Sequence, residues 1–190
     1  MYLGRESMNS KNVPVYAMPQ MLKMLQTNVP WSQLVELRNI ELRPLADNVE
    51  VKLHRVSATP FLVPHRDEFS ETVGYRIRSS TRSLVFIPDI DKWEKWAASL
   101  ESVVRSSDYV LIDGTFFANG EINRPMNEVP HPFVTETMEL LKGLPLRERR
   151  KVVFIHFNHS NPLIQENRKK LTEIANRGFR IARTGMRFEL

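Results

Sequence analysis

The chain has 190 residues, enough for one domain with a substantial core, and its 42% hydrophobic and 26% charged residues are ordinary globular composition. It contains no Cys, which excludes disulfides, thiolate metal sites and Cys nucleophiles, so any metal must be held by His, Asp or Glu. The net charge of +5 is modest and dispersed, no stretch approaches the roughly 20 apolar residues of a membrane span, and no apolar leader follows Met1, so a cytoplasmic location is expected.

In chain order, Leu3 to Asn9 reads as the tail of a helix and Val13 to Ala17 as a short strand. Pro19 opens a helix to about Gln26, since proline's missing N–H costs nothing in the first turn. Ile40 to Arg43 and Val49 to Val56 alternate like half-exposed strands, and Phe61 to Val63, Val73 to Ile77 and Leu84 to Ile87 continue a β-meander. Trp93, Trp96, Ala97, Leu100, Val103 and Val104 recur at helical spacing and predict a helix over Trp93 to Arg105. Strand Tyr109 to Ile112, helix His131 to Leu141, strand Val152 to Ile155 and helix Asn161 to Ala175 follow. A meander followed by alternating strands and helices predicts a layered α/β or α+β fold. The basic runs Arg147 to Lys151 and Arg168 to Lys170 read as solvated helix faces or loops rather than a nucleic-acid surface.

Four apolar strands end in a His or an Asp: Phe61 to Pro64 runs into His65, Leu84 to Pro88 into Asp89, Tyr109 to Ile112 into Asp113, and Val152 to Ile155 into His156. Ligands collect at the carboxyl ends of strands in α/β sheets, and two imidazoles with a carboxylate are the makings of a divalent metal site. Each residue also has a plainer role. His65, before Arg66-Asp67-Glu68, could be a loop histidine in an ion-pair network, and Asp89 could cap the next helix, although Asp91 competes for that cap. Asp113, before Gly114-Thr115, could be a turn residue or an acceptor that orients a ligand histidine. His159 and His131 could each contact substrate or cap a helix, and His54 shares the polar phase of its strand with Glu50 and Lys52, as a surface histidine would. The tryptophans read as core or interface, and Phe116 and Phe117 as core that could also line a pocket.

A family resemblance runs through Val15 to Pro19, Pro30 to Val35, Val63 to Glu68 with Thr72 to Ile77, Phe86 to Asp89, Leu111 to Phe117 and Phe154 to Pro162. In these motifs and their order the chain resembles the C-terminal two-thirds of a metallo-β-lactamase-fold protein. Within that superfamily it is most similar to the family of coenzyme PQQ synthesis B proteins. The resemblance implies an α/β fold, an αββα sandwich lacking part of its N-terminal sheet, with residues 1–190 as one domain. It implies His65, Asp89 and His156 as metal ligands, with Asp113, His159 and His131 at the substrate or behind the ligands. The implied cofactor is a divalent metal, zinc first and iron second. The superfamily's His-x-His-x-Asp-His ligand loop has no counterpart, since residues 1–64 contain only His54, so the chain is expected to be truncated on its N-terminal side and to bind metal weakly or not at all.

The activity implied for intact relatives is metal-dependent hydrolysis or oxidase-type chemistry on a small molecule, in the making or handling of pyrroloquinoline quinone. Two alternatives stand beside it: a non-catalytic remnant that binds a small molecule or partner, and an RNA-processing nuclease of the same fold, which the lack of a clustered basic arm weighs against. The partners expected are a small-molecule substrate and, through an unpaired sheet edge, a second copy of the chain as a homodimer, with no membrane and no nucleic acid.

Overall fold

The computed structural model describes residues 2–190, the side chain of Asn127 excepted; Met1, which opens the N-terminal segment, lies outside the described residues. Two sheets form. Strands β1 (Val13–Ala17) and β2 (Ile40–Pro44) pair in parallel, joined through helices α1 (Pro19–Thr27) and α2 (Trp31–Glu36). A seven-stranded sheet takes its strands in chain order: β3 (Val51–Leu53), β4 (Val56–Leu62), β5 (Val73–Arg78), β6 (Ser83–Ile87), β7 (Tyr109–Asp113), β8 (Val152–Ile155) and β9 (Arg180–Ile181). From β3 to β6 the pairing is antiparallel; from β6 to β9 it is parallel, each crossover carrying helix. These are α3 (Leu100–Arg105), then α4 (Val134–Leu140) with α5 (Leu146–Arg149), then α6 (Arg168–Asn176).

The parallel half has one face fully buried and the other half-buried, with Leu84 and Val153 buried there too, which is why its strands are continuous apolar runs rather than alternating ones. Val85, Ile87, Val110, Ile112, Val152 and Phe154 are fully buried and share one core with Val134 and Met138 of α4. The antiparallel half keeps a polar phase, as alternation in β4 and β5 requires.

Several elements differ from the sequence expectation, each for a local reason. The helix expected over Trp93 to Arg105 divides into a single 3-10 turn, Trp93–Lys95, and α3. Ser99 takes extended backbone and caps α3, its hydroxyl accepting from the Ser102 N–H, so the capping residue wins over apolar periodicity. The helix expected from Asn161 starts at Arg168, capped by Asn167, because Asn161 is fully buried and bonded elsewhere. Residues 3–9 form turns rather than a helix. Helices α2 and α5 and strand β9 are too short to show a period in the sequence.

Candidate metal centre

Strands β4, β6, β7 and β8 run in the same direction, so their carboxyl ends share one edge of the sheet. His65 follows β4, Asp89 follows β6, Asp113 is the last residue of β7, and His156 is the first after β8. His131 arrives from the connection between β7 and α4, where its ring stands edge-on to Phe116, with centroids 5.9 Å apart. One donor atom from each of Asp89, Asp113, His131 and His156 lies within 4.8 Å of the others. His65 flanks this group, its Nε2 3.1 Å from Asp89 Oδ1 and its ring 5.2 Å from that of His131. His159 is exposed on the next turn, outside the group, and its backbone carbonyl accepts from Gln165. His54 stands in the β3–β4 turn, exposed and away from this edge.

Asp113 is fully buried, and both its oxygens are engaged. Oδ1 accepts from the Thr115 N–H at 2.8 Å and the Thr115 hydroxyl at 2.6 Å. Oδ2 lies 2.8 Å from His131 Nδ1 and accepts from the Ile90 N–H at 3.3 Å. Four partners fill what a carboxylate can accept, so Asp113 acts here as an orienting group. Proton counting then sets both tautomers. An ionised Asp113 only accepts, so His131 donates from Nδ1 and presents a lone pair at Nε2. Thr115 has one hydroxyl proton, given to Asp113. The His156 Nδ1 at 3.1 Å from Thr115 Oγ1 must therefore donate to that oxygen, which leaves His156 Nε2 as the free lone pair.

Two buried atoms at this edge have no hydrogen-bond partner among the described residues: Asp89 Oδ1 and His65 Nδ1. Asp89 Oδ1 is approached by His65 Nε2 at 3.1 Å and His131 Nδ1 at 3.4 Å, but without hydrogen-bond geometry. A buried carboxylate oxygen left over among imidazoles fits a cation better than it fits a hydrogen-bond network. The donor set, imidazole nitrogen and carboxylate oxygen without sulfur, suits zinc, iron and similar divalent ions.

The surrounding loops are tied down. The Asp91 N–H donates to the Pro64 carbonyl at 2.7 Å, joining the His65 and Asp89 loops. Burial raises the Asp91 carboxyl, but hydrogen bonds from Lys95 and from the Lys92 N–H, together with the Lys95 charge, outweigh it and hold Asp91 below the usual carboxylate range. Asp91 is thus committed to lysines, and Asp89 is left for the edge. Glu121 accepts from the Phe117 N–H and the Ser160 hydroxyl, both at 2.6 Å, fastening the loop after β7 to the loop after β8. Asn161 donates to the carbonyls of Gly114 and Thr115 at 2.8 and 3.2 Å. No sequence motif points to Thr115 or Glu121 as part of the site, and Asn161, expected to open a helix, instead braces the loop after β7. Only the position of Thr115, two residues past a strand-end Asp, hinted at a role.

Parallel strands delivering His and Asp to one edge define a class of metal-binding α/β protein. Residues 3–157 match the model of the Beta-lactamase superfamily domain, and the chain belongs to that superfamily. It is 27% identical over 185 residues to coenzyme PQQ synthesis protein B of Pseudomonas syringae pv. syringae (strain B728a), across 90% of this chain and 59% of that protein. Among solved structures it is similar to Zn(2+)-bound PqqB from Methylobacterium extorquens, with a TM-score of 0.75 and 21% identity over 94% of this chain and 63% of that one. It is also similar to the metallo-beta-lactamase fold protein YhfI from Bacillus subtilis, with a TM-score of 0.63 and 13% identity over 92% of this chain and 64% of that one. The fold is therefore the metallo-β-lactamase fold, of the α/β class. The chain spans about three-fifths of the length of the PQQ synthesis relative it matches. Among the described residues no helix is long and apolar enough to cross a membrane.

Proposed function

We propose that the chain holds a divalent metal ion at this edge and serves metal-dependent chemistry on a small molecule, in the manner of the PQQ synthesis B proteins it resembles. The observation that carries this reading is the buried, partnerless Asp89 Oδ1 set among imidazoles whose free lone pairs are fixed by Asp113 and Thr115. In the proposed arrangement Asp89, His131 and His156 are ligands and His65 is a fourth. Asp113 stands behind His131 directly and behind His156 through Thr115. His159, exposed beyond the group, faces incoming substrate. A divalent ion bound there would lower the pKa of bound water toward about 7 and polarise a substrate oxygen. Zinc is the first candidate, because a relative of the same fold is described as Zn(2+)-bound.

Metal analysis and isothermal titration on the purified chain test the reading. The expected result is weak but saturable binding of one zinc or iron ion per chain, lost in both Asp89→Ala and His156→Ala. Binding that survives both substitutions, or none in the unmodified chain, would refute it.

A further inference from the structure

On the face of the sheet that carries α3, a cavity of about 520 Å³ lies over β4 and β5, running from Arg78 at the far end of β5 to Leu62 at the carboxyl end of β4. Its walls include Arg76, Arg78, Thr59, Phe61, Leu62 and Trp96. Arg76 and Arg78 are two apart on β5 and so point to the same face, with Thr59 beside Arg76 across the ladder. Arg76 is also in register with fully buried Val85 of β6, a position where packing alone would favour an aliphatic residue. Its Nε is buried and has no hydrogen-bond partner among the described residues. Burial first, and then the neighbouring Arg78 charge, lower the Arg76 guanidinium from its usual range, with no acid to offset them. The one carboxylate in the wall, Asp47, is used elsewhere: its oxygens accept from the Leu62 N–H and the Asn48 amide, both at 2.9 Å. Two adjacent guanidiniums, one partly buried and unpaired, are costly for the fold on its own. Beside them Phe61 and Trp96 stack at 5.8 Å and 24° and supply an apolar wall.

We propose that this cleft binds a small organic phosphate with an aromatic body, the phosphate held by Arg76 and Arg78 and the body lying against Phe61, Leu62 and Trp96. Paired guanidiniums match a phosphate dianion in charge and in hydrogen-bond geometry. The cavity falls within the roughly 300–1,000 Å³ usual for small-ligand sites. The guanidinium end of the cleft is separate from the metal edge: Arg78 pairs with Ser83, at the opposite end of β6 from Asp89, and β6 alone is about 13 Å long.

Titration of the metal-chelated chain with phenyl phosphate, inorganic phosphate and phenol, followed by tryptophan fluorescence and calorimetry, tests this. Phenyl phosphate should bind saturably and more tightly than inorganic phosphate, and phenol should not bind. Arg76→Gln and Arg78→Gln should each weaken phenyl phosphate by about tenfold or more, whereas Arg180→Gln, on β9 at the other side of the sheet, should leave it unchanged. Arg78 is exposed, so Arg78→Gln carries the test even if Arg76→Gln impairs folding. No saturable binding up to about 10 mM, equal binding of phenol, or equal losses in Arg78→Gln and Arg180→Gln would each overturn the proposal.

Discussion

His156 sits in left-handed backbone, with φ of 57°, and its side chain is exposed. A non-glycine residue there carries a conformational cost of about 1–2 kcal/mol, and exposure means that little packing offsets it. Replacing His156 by Ala keeps that cost; replacing it by Gly removes it. Both variants lose the bond to Thr115, so that loss cancels between them. Glycine's greater freedom in the unfolded chain returns roughly 0.5–1 kcal/mol. The net expectation is that His156→Gly is more stable than His156→Ala by about 0.5–1 kcal/mol, or about 2–4 °C in Tm per kcal/mol for a chain of this size. Thermal unfolding in chelator measures the difference. The same scans with zinc test the metal reading. The unmodified chain should gain about 2.7 kcal/mol at a hundredfold excess over Kd, and neither variant should respond. An alanine variant as stable as the glycine variant would refute the argument that the site holds His156 in a strained conformation.

Thr115→Val removes the hydroxyl that links Asp113 to His156, so metal affinity should fall by about 10–100-fold, read by competition with a chelating dye. Gly114→Ala would place a Cβ 2.9 Å from Phe157 Cε1 and 3.0 Å from both the Ile155 carbonyl and Phe154 Cβ. Backbone and a core Cβ cannot yield easily, so urea unfolding should show a loss of about 1–3 kcal/mol. The Ser83 N–H, aided by the Ser83 hydroxyl and against slight burial, holds the Asp108 carboxyl below the usual range and ties the start of β6 to the start of β7. Because that pKa is depressed on folding, the stabilisation is full above the usual carboxylate value and fades as pH falls through the folded one. The gap between the unmodified chain and Asp108→Ala should therefore be widest near neutral pH and close below about pH 4; a constant gap would count against the linkage.

The sequence by itself determined the strands, because burial of the parallel half demands runs such as Leu84 to Ile87, Tyr109 to Ile112 and Val152 to Ile155, and those runs end where chemistry can be offered. It also determined the superfamily, through motifs such as Ile-Pro-Asp at Asp89 and the His156-Phe157-Asn158-His159 segment. What it left open were choices between competing local signals and choices settled by groups distant along the chain. Ser99 and Asn167 decided where helices begin, against the apolar period. His131, equally a cap or a substrate contact by position, joins the donor group only because β7, β8 and the loop before α4 meet at one edge. Asp113, a turn residue or an orienting acceptor by position, is both: its Oδ1 accepts from the Thr115 N–H in a local turn, while Ile90 and His131 reach its Oδ2 from two other segments. Local pattern is written by burial and backbone chemistry, and so can be read along the chain. A site is a coincidence of side chains from separate segments, and only the packed structure brings those segments together.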